Sequence, residues 1–152
     1  MKPRLNSFQA APAVMQAMQA LEAATQKSGL EPALMELVKI RASQINGCAF
    51  CLHMHTRDAR RLGESEQRIY LLDAWRESPL FSDRERAALA WTEAVTLVSE
   101  THVPDDVFAE AKAQFSDEAL AQLTLLIVAI NGWNRFAIAF RSVHPVTVKA
   151  AA

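Results

Sequence analysis

The sequence predicts an all-α single domain, and three observations carry that prediction. Apolar residues recur at helical spacing over most of the chain. Capping and stop signals separate these stretches. With 4 glycines in 152 residues and few clusters of β-branched side chains, little is available for hairpins or a sheet. A chain of this length fits one domain, residues 1–152, and can bury a substantial core.

Each element follows from its own residues. Pro12 to about Lys27 is rich in Ala, Gln and Met, with Val14, Met18 and Leu21 on one side, and Gly29 breaks it. Pro32 suits the first turn of a second helix, which carries Leu34, Leu37, Val38, Arg41 and Ile45 at helical spacing. Asn46–Gly47 stops it. A third helix begins near Cys48, runs to Leu62 and ends at Gly63. Ser65 caps a short helix holding Ile69, Leu72 and Trp75, which stops before Pro79. The run Ser82 to Glu85 is a capping box, opening a helix whose stripe is Ala88, Trp91, Val95 and Val98 and which fades by Thr101–His102. Pro104 starts another helix to about Phe115, and Ser116 caps the last, which runs to about Ser142. The expectation is six to seven helices, with no internal repeat, low-complexity tract or linker.

Composition narrows the function classes. Hydrophobic residues make up 51% and charged residues 22%, as in ordinary globular proteins. A net charge of −1 supplies no bulk attraction to nucleic acid or anionic lipid. The run after Lys2 and Arg4 is interrupted by Gln9, Gln16, Gln19 and Glu22, so no secretory signal is read there. Leu120 to Phe140 is long enough to span a bilayer but contains Asn131, Asn134 and Arg135. An arginine near the centre of a span costs about 3 kcal/mol. The segment is therefore expected to be a core helix, and the protein to be cytoplasmic.

The chain has two cysteines, and both lie in NGCAFCLHMH, Asn46 to His55, with two of its four histidines. If Cys48 sits in the first turn of its helix, then Cys48, Cys51 and His55 share one face at 100° per residue. Cys51 and His55 are an i, i+4 pair in side-chain contact. The unpaired N–H groups and partial positive charge of a helix N-terminus favour thiolate over thiol, and a neighbouring imidazolium adds to that. Such a dithiol can attack a peroxide oxygen, become a sulfenic acid and close to a disulfide. His55 is one turn from Cys51 and two from Cys48, which makes Cys51 the attacking sulfur and Cys48 the resolving one. Other readings are a zinc site, which needs two more ligands and has no second cysteine pair to supply them, or inert packing of both thiols. A thioredoxin-type enzyme would need a preceding strand, which this sequence lacks.

Cys48-x-x-Cys51-x-x-x-His55, with Glu36 twelve positions upstream of Cys48, resembles the alkylhydroperoxidase D-like group of the carboxymuconolactone decarboxylase family. The flanks agree: LVKIRASQINGCAFCLHMHTRDARRLG, ALAWTEAVTLVSETHVPDDVF and INGWNRFAIAFR, from about residue 30 to 141. The resemblance implies an orthogonal helical bundle, assembly into a homo-oligomer (trimer or hexamer), and hydroperoxide reduction by the cysteine pair. It implies Cys51 as peroxidatic, Cys48 as resolving, and Glu36 and His55 as proton relay. No cofactor or metal is called for, but an external dithiol or protein reductant must regenerate the pair. The best-studied members carry a histidine just before the second cysteine, where this chain has Phe50. Simpler proton delivery and a slower or differently tuned peroxidase are expected from that change.

Periodicity alone reads Glu36 as solvated, because the stripe Leu34, Leu37, Val38 and Ile45 lies nearly opposite it. Only the resemblance makes it a relay acid; burial against the cysteines would then raise its pKa. Four further expectations concern polar and aromatic residues. His53 points away from the cysteines, solvated or at an interface. Arg41 meets a carboxylate or carbonyl within the chain or across a subunit boundary. Asn131, Asn134 and Arg135 form a buried polar network or a subunit contact. His102 and His144 act as helix-end caps, and Trp91 and Trp133 as core or interface aromatics. The leading function is a thiol-dependent peroxidase. The alternatives are a lactone decarboxylase, whose chemistry has no use for paired thiols, and a redox sensor that oxidises once without turnover.

Overall fold

Proline at the first helical position, serine at the N-cap and glycine past the C-terminus set most of the helix boundaries. The computed structural model describes residues 1–146 and builds nine α-helices and a 3₁₀ turn among them. They are α1 (Ser7–Ala10), α2 (Pro12–Thr25), α3 (Pro32–Asn46), α4 (Ala49–Arg61) and α5 (Glu66–Leu71), then the 3₁₀ turn Leu72–Glu77. The remainder are α6 (Asp83–Thr96), α7 (Val98–Thr101), α8 (Asp105–Gln114) and α9 (Asp117–Phe140). Ser82 and Glu85 make the expected capping box, and Ser116 caps α9 by accepting from the Ala119 amide at 3.2 Å. Gly47 closes α3 in the left-handed region, at φ 68°, where a side chain would be strained.

The helix count exceeds the expected six to seven because short turns carry no apolar period. α1 is one turn, capped by Asn6. The stripe through Val98 is broken at Leu97 (φ −99°, ψ 33°), where Thr101 Oγ1 donates to the Ala94 carbonyl at 2.7 Å. The stretch capped by Ser65 starts as α-helix and tightens into the 3₁₀ turn, with a kink at Ala74.

Helix α3 is the hub, packed between α4, α6 and α9. Leu34, Met35 and Val38 join Trp91, Leu123 and Ile127 in one cluster, while Leu37 and Ile40 join Leu72, Trp75 and Leu89 in another. A third cluster packs Ala42 with Cys48, Cys51, Ile130 and Ala137. A helix that feeds three clusters is buried almost all round, so its charged residues are buried too. Gly132 on α9 gives α2 its close approach: a Cβ there would come within 2.9 Å of Met18 Cε.

Two polar expectations resolve within the chain. Arg41 Nε donates to Glu93 Oε1 at 2.8 Å, and the same oxygen accepts from Trp75 Nε1 at 2.8 Å. Asn46 Nδ2 donates to Asn131 Oδ1 and Asn134 Oδ1, both at 2.9 Å, and Asn134 Nδ2 donates to Ser43 Oγ at 3.1 Å. α9 is long and apolar enough to cross a membrane by length and composition alone, yet its two asparagines are spent on this internal network.

Candidate active site

Cys48 is the N-cap of α4 and not a first-turn residue, with φ −87° and ψ 92°. That one-residue difference matters, because an N-cap side chain faces the amides two and three positions on. The sulfur makes no full capping hydrogen bond, yet the amides of Cys51 and Phe50 favour its anion. Cys51 lies one turn into the helix, and both thiols are reduced and buried, at 1% and 2% exposure.

The two sulfurs ionise unequally. The Cys51 thiol hydrogen-bonded to Cys48, opposed by burial and helped by the Cys51 amide, the Asn134 side chain and the Phe50 amide, lowers Cys48 from 9.0 to about 7. Cys51 moves the other way, raised by its hydrogen bond to Cys48, by burial and by the Cys48 charge. The pair therefore gives up one proton readily and holds the second, the behaviour of two sites sharing one proton. In the resting site the negative charge sits on Cys48. Proximity to His55, the ground for expecting Cys51 to be the attacking sulfur, is a separate matter from which sulfur ionises first.

This ionisation has a direct test in the reduced protein. Below pH 7 both thiols are protonated, so reaction with iodoacetamide is slow. The rate rises as pH climbs and levels off above a midpoint near the Cys48 value of about 7. A midpoint at the ordinary 9.0 contradicts the shared-proton geometry.

His55, one turn along α4 from Cys51, is 7% exposed, and its Nδ1 lies 2.8 Å from Glu36 Oε2. Glu36 is 9% exposed, so the solvated position expected from periodicity is wrong. The reason is the hub position of α3, which buries every residue from Leu34 to Ile40. The expected rise in its pKa also fails. Burial does push the Glu36 carboxyl up, but the His55 hydrogen bond and charge and the Lys39 ammonium outweigh it and hold it below 4.5. A buried carboxylate on Nδ1 fixes the imidazole tautomer and leaves Nε2 as the working nitrogen.

Cys51, His55, Glu36 and Lys39 all line a cavity of about 550 Å³, and Cys48 is not among its lining residues. Phe8, Met15, Phe50, Met54, Trp133 and Phe136 make its walls apolar. Among the described residues, no three or more of His, Cys, Asp and Glu gather as a metal-ligand set.

The model of the carboxymuconolactone decarboxylase family matches residues 12–94, which take in α2 to most of α6 and every residue of this site except those on α1 and α9 and Ser142 just beyond α9. The chain belongs to this family. YdfG of Bacillus subtilis, described as uncharacterized, is 44% identical over 139 residues, spanning 91% of this chain and 95% of YdfG. A crystal structure from Agrobacterium tumefaciens is of a protein of unknown function, provisionally assigned to antioxidant defence as AhpD. It is 51% identical, with a TM-score of 0.94, and the match covers 96% of this chain and all (100%) of that one. A debrominase bound to a brominated pyrrole shares the fold at 21% identity and a TM-score of 0.80, over 90% of this chain and 73% of its own. The all-α, AhpD-like fold is thus the fold of this family member.

The structure brings Glu36, His55 and Cys51 to one cavity, with Cys48 hydrogen-bonded to Cys51 behind it. Lys39 was missed. It is 4% exposed and ion-paired to Glu36 at 3.3 Å and to Glu22 at 3.2 Å. Glu22 on α2 in turn accepts from Trp133 Nε1 at 3.3 Å, so Trp133, which packs against the third core cluster as expected, also joins the site. The signal for Lys39 was present in LMELVKI, where an oppositely charged pair at i, i+3 interrupts an apolar run. His53 is half-buried against the His144 ring, with centroids 5.0 Å apart, and takes no part in the cavity.

Proposed function

We propose that this protein is a thiol-dependent peroxidase that reduces organic hydroperoxides and is recharged by an external dithiol. The observation that carries the reading is the pairing, on one cavity wall, of Cys51 with a histidine whose Nδ1 is 2.8 Å from a buried carboxylate. Access selects the attacking sulfur where ionisation does not: Cys51 lines the cavity, while Cys48, the stored thiolate, stands behind it.

The steps balance as follows. His55 Nε2 takes the proton of the Cys51 thiol as its sulfur attacks the outer peroxide oxygen. The O–O bond breaks, Cys51 becomes a sulfenic acid, and the proton on His55 passes to the departing alkoxide to give ROH. The Cys48 thiolate then attacks the Cys51 sulfur, an S–S bond forms, and the departing hydroxide takes up the proton that Cys48 released to solvent on ionising and leaves as water. The two thiols lose two electrons and the peroxide gains them; a second dithiol returns them by exchange. Lactone decarboxylation, the reaction in the family's name, has no use for the paired sulfurs.

Cavity shape points to the substrate. A volume of about 550 Å³ with aromatic and methionine walls suits a hydrocarbon body and is far larger than hydrogen peroxide needs. With dithiothreitol as reductant, cumene hydroperoxide is expected to be consumed over many turnovers, with a lower KM than hydrogen peroxide. Consumption that stops after one equivalent would make the protein a sensor; none at all would remove the reading.

A further inference from the structure

Helix α2 lies outside the cysteine motif, yet it reaches the site through one carboxylate. Glu22 is an ion-pair partner of Lys39 and holds Trp133 of α9 and Gln26, the C-cap of α2, by hydrogen bonds at 3.3 and 3.1 Å. Lys39 Nζ sits between Glu22 at 3.2 Å and Glu36 at 3.3 Å, and Glu36 continues to His55 at 2.8 Å. The string therefore alternates carboxylate, ammonium, carboxylate, imidazole, from a partly exposed end to the cavity. It is neutral as a whole when His55 is protonated. Such alternation is how charges persist where water is scarce, since an unpaired one would be strongly disfavoured.

We propose that Lys39 is a positioning residue of the dithiol site: held by Glu22, it keeps Glu36 as the carboxylate that orients His55. This rests on the peroxidase reading only for its effect on turnover; the effect on His55 stands without it. Glu36 is buried, and the charged or titratable groups that line the cavity with it are Lys39, Glu22, His55, Cys51 and Asp58. Of these only Lys39 carries a permanent positive charge. Without it, desolvation of Glu36 has a single opponent, His55, which itself needs an ionised Glu36 to stay oriented.

Signs separate this role from a merely structural one. In Lys39→Met, Glu36 takes up its proton at higher pH, by about 1–3 units, the usual scale of losing an opposite charge at contact distance. The acid limb of kcat/KM moves up by the same amount, and kcat falls about 10–100-fold, the scale of losing an outer orienting partner, with KM nearly constant. Lys39→Arg restores most of the loss. Glu22→Gln does the opposite: with one carboxylate gone, Lys39 acts on Glu36 alone and the acid limb moves down. Loosening of the fold cannot shift the two variants in opposite directions.

The experiment is ¹⁵N-histidine NMR of the reduced full-length protein across pH, reading the point at which His55 loses its Nδ1–H tautomer, with peroxide kinetics on the same samples. The expected result is a midpoint raised in Lys39→Met and lowered in Glu22→Gln. An unmoved midpoint in folded Lys39→Met overturns the proposal. Should Lys39→Met not fold, Glu22→Gln decides: a lowered midpoint supports the role, and an unmoved or raised one overturns it. Shifted midpoints in a protein that consumes no peroxide would retain the positioning role and reject the peroxidase.

Discussion

Cys51→Ser is expected to abolish hydroperoxide turnover, by roughly three orders of magnitude or more, the scale seen when a nucleophile is taken from a cooperating set. The Cys48→Ser variant should fail differently. Its Cys51 is still on the cavity wall with His55, so it reacts once and stops as a sulfenic acid that a dimedone probe captures. The contrast matters because ionisation and access favour different sulfurs here. Cys48 carries the lowered value of about 7, while Cys51 is the one that meets the cavity. If the trapped sulfenic acid appears at Cys48 in Cys51→Ser, and none at Cys51 in Cys48→Ser, the order of attack is reversed and access through this cavity is not what selects the sulfur.

The second large effect is expected at the carboxylate–imidazole pair. His55→Gln removes the nitrogen that carries the thiol proton to the alkoxide, and general acid–base catalysis of this kind contributes about 10²–10⁴-fold. Glu36→Gln keeps the shape and the hydrogen-bonding capacity of the side chain but loses its charge, so His55 keeps a partner without a fixed tautomer. Its loss should be of the same order in kcat, with KM little changed. The pH dependence follows from the direction of the Glu36 shift. Its folded carboxyl is held below 4.5, so the stabilisation it contributes is complete above that value and is lost as pH falls through the lower folded value. Activity and stability should therefore hold through neutrality and fail together in acid, a coincidence that thermal melts and kinetics at matched pH would test. Glu36→Gln should flatten that acid dependence.

The fold was legible because its signals are local. Ser82–Glu85, Ser116, Pro12, Pro32 and Gly47 each act on the backbone within a turn, and each does in the structure what the residue type alone requires. The cysteine motif was legible for the same reason: Cys51 and His55 are one turn apart on one helix. Failure came where the answer depends on what packs from outside. Glu36 was misread because a periodic stripe reports the best-covered side of a helix, and the middle of α3, Leu34 to Ile40, is buried all round. Lys39 was invisible for that reason, and also because its second partner, Glu22, lies on a helix seventeen residues earlier. The ease with which Cys48 ionises was not readable either, because it depends first on the Cys51 thiol hydrogen-bonded to it and also on Asn134 from α9.

The most direct test of the central claim is mass spectrometry of the fully reduced protein before and after one equivalent of cumene hydroperoxide. The account requires rapid loss of both thiols, a mass lower by the two hydrogens of one disulfide, and a single cross-linked peptide joining Cys48 to Cys51. Two free thiols surviving the peroxide would contradict it, and would leave the cysteines as packing in the third core cluster.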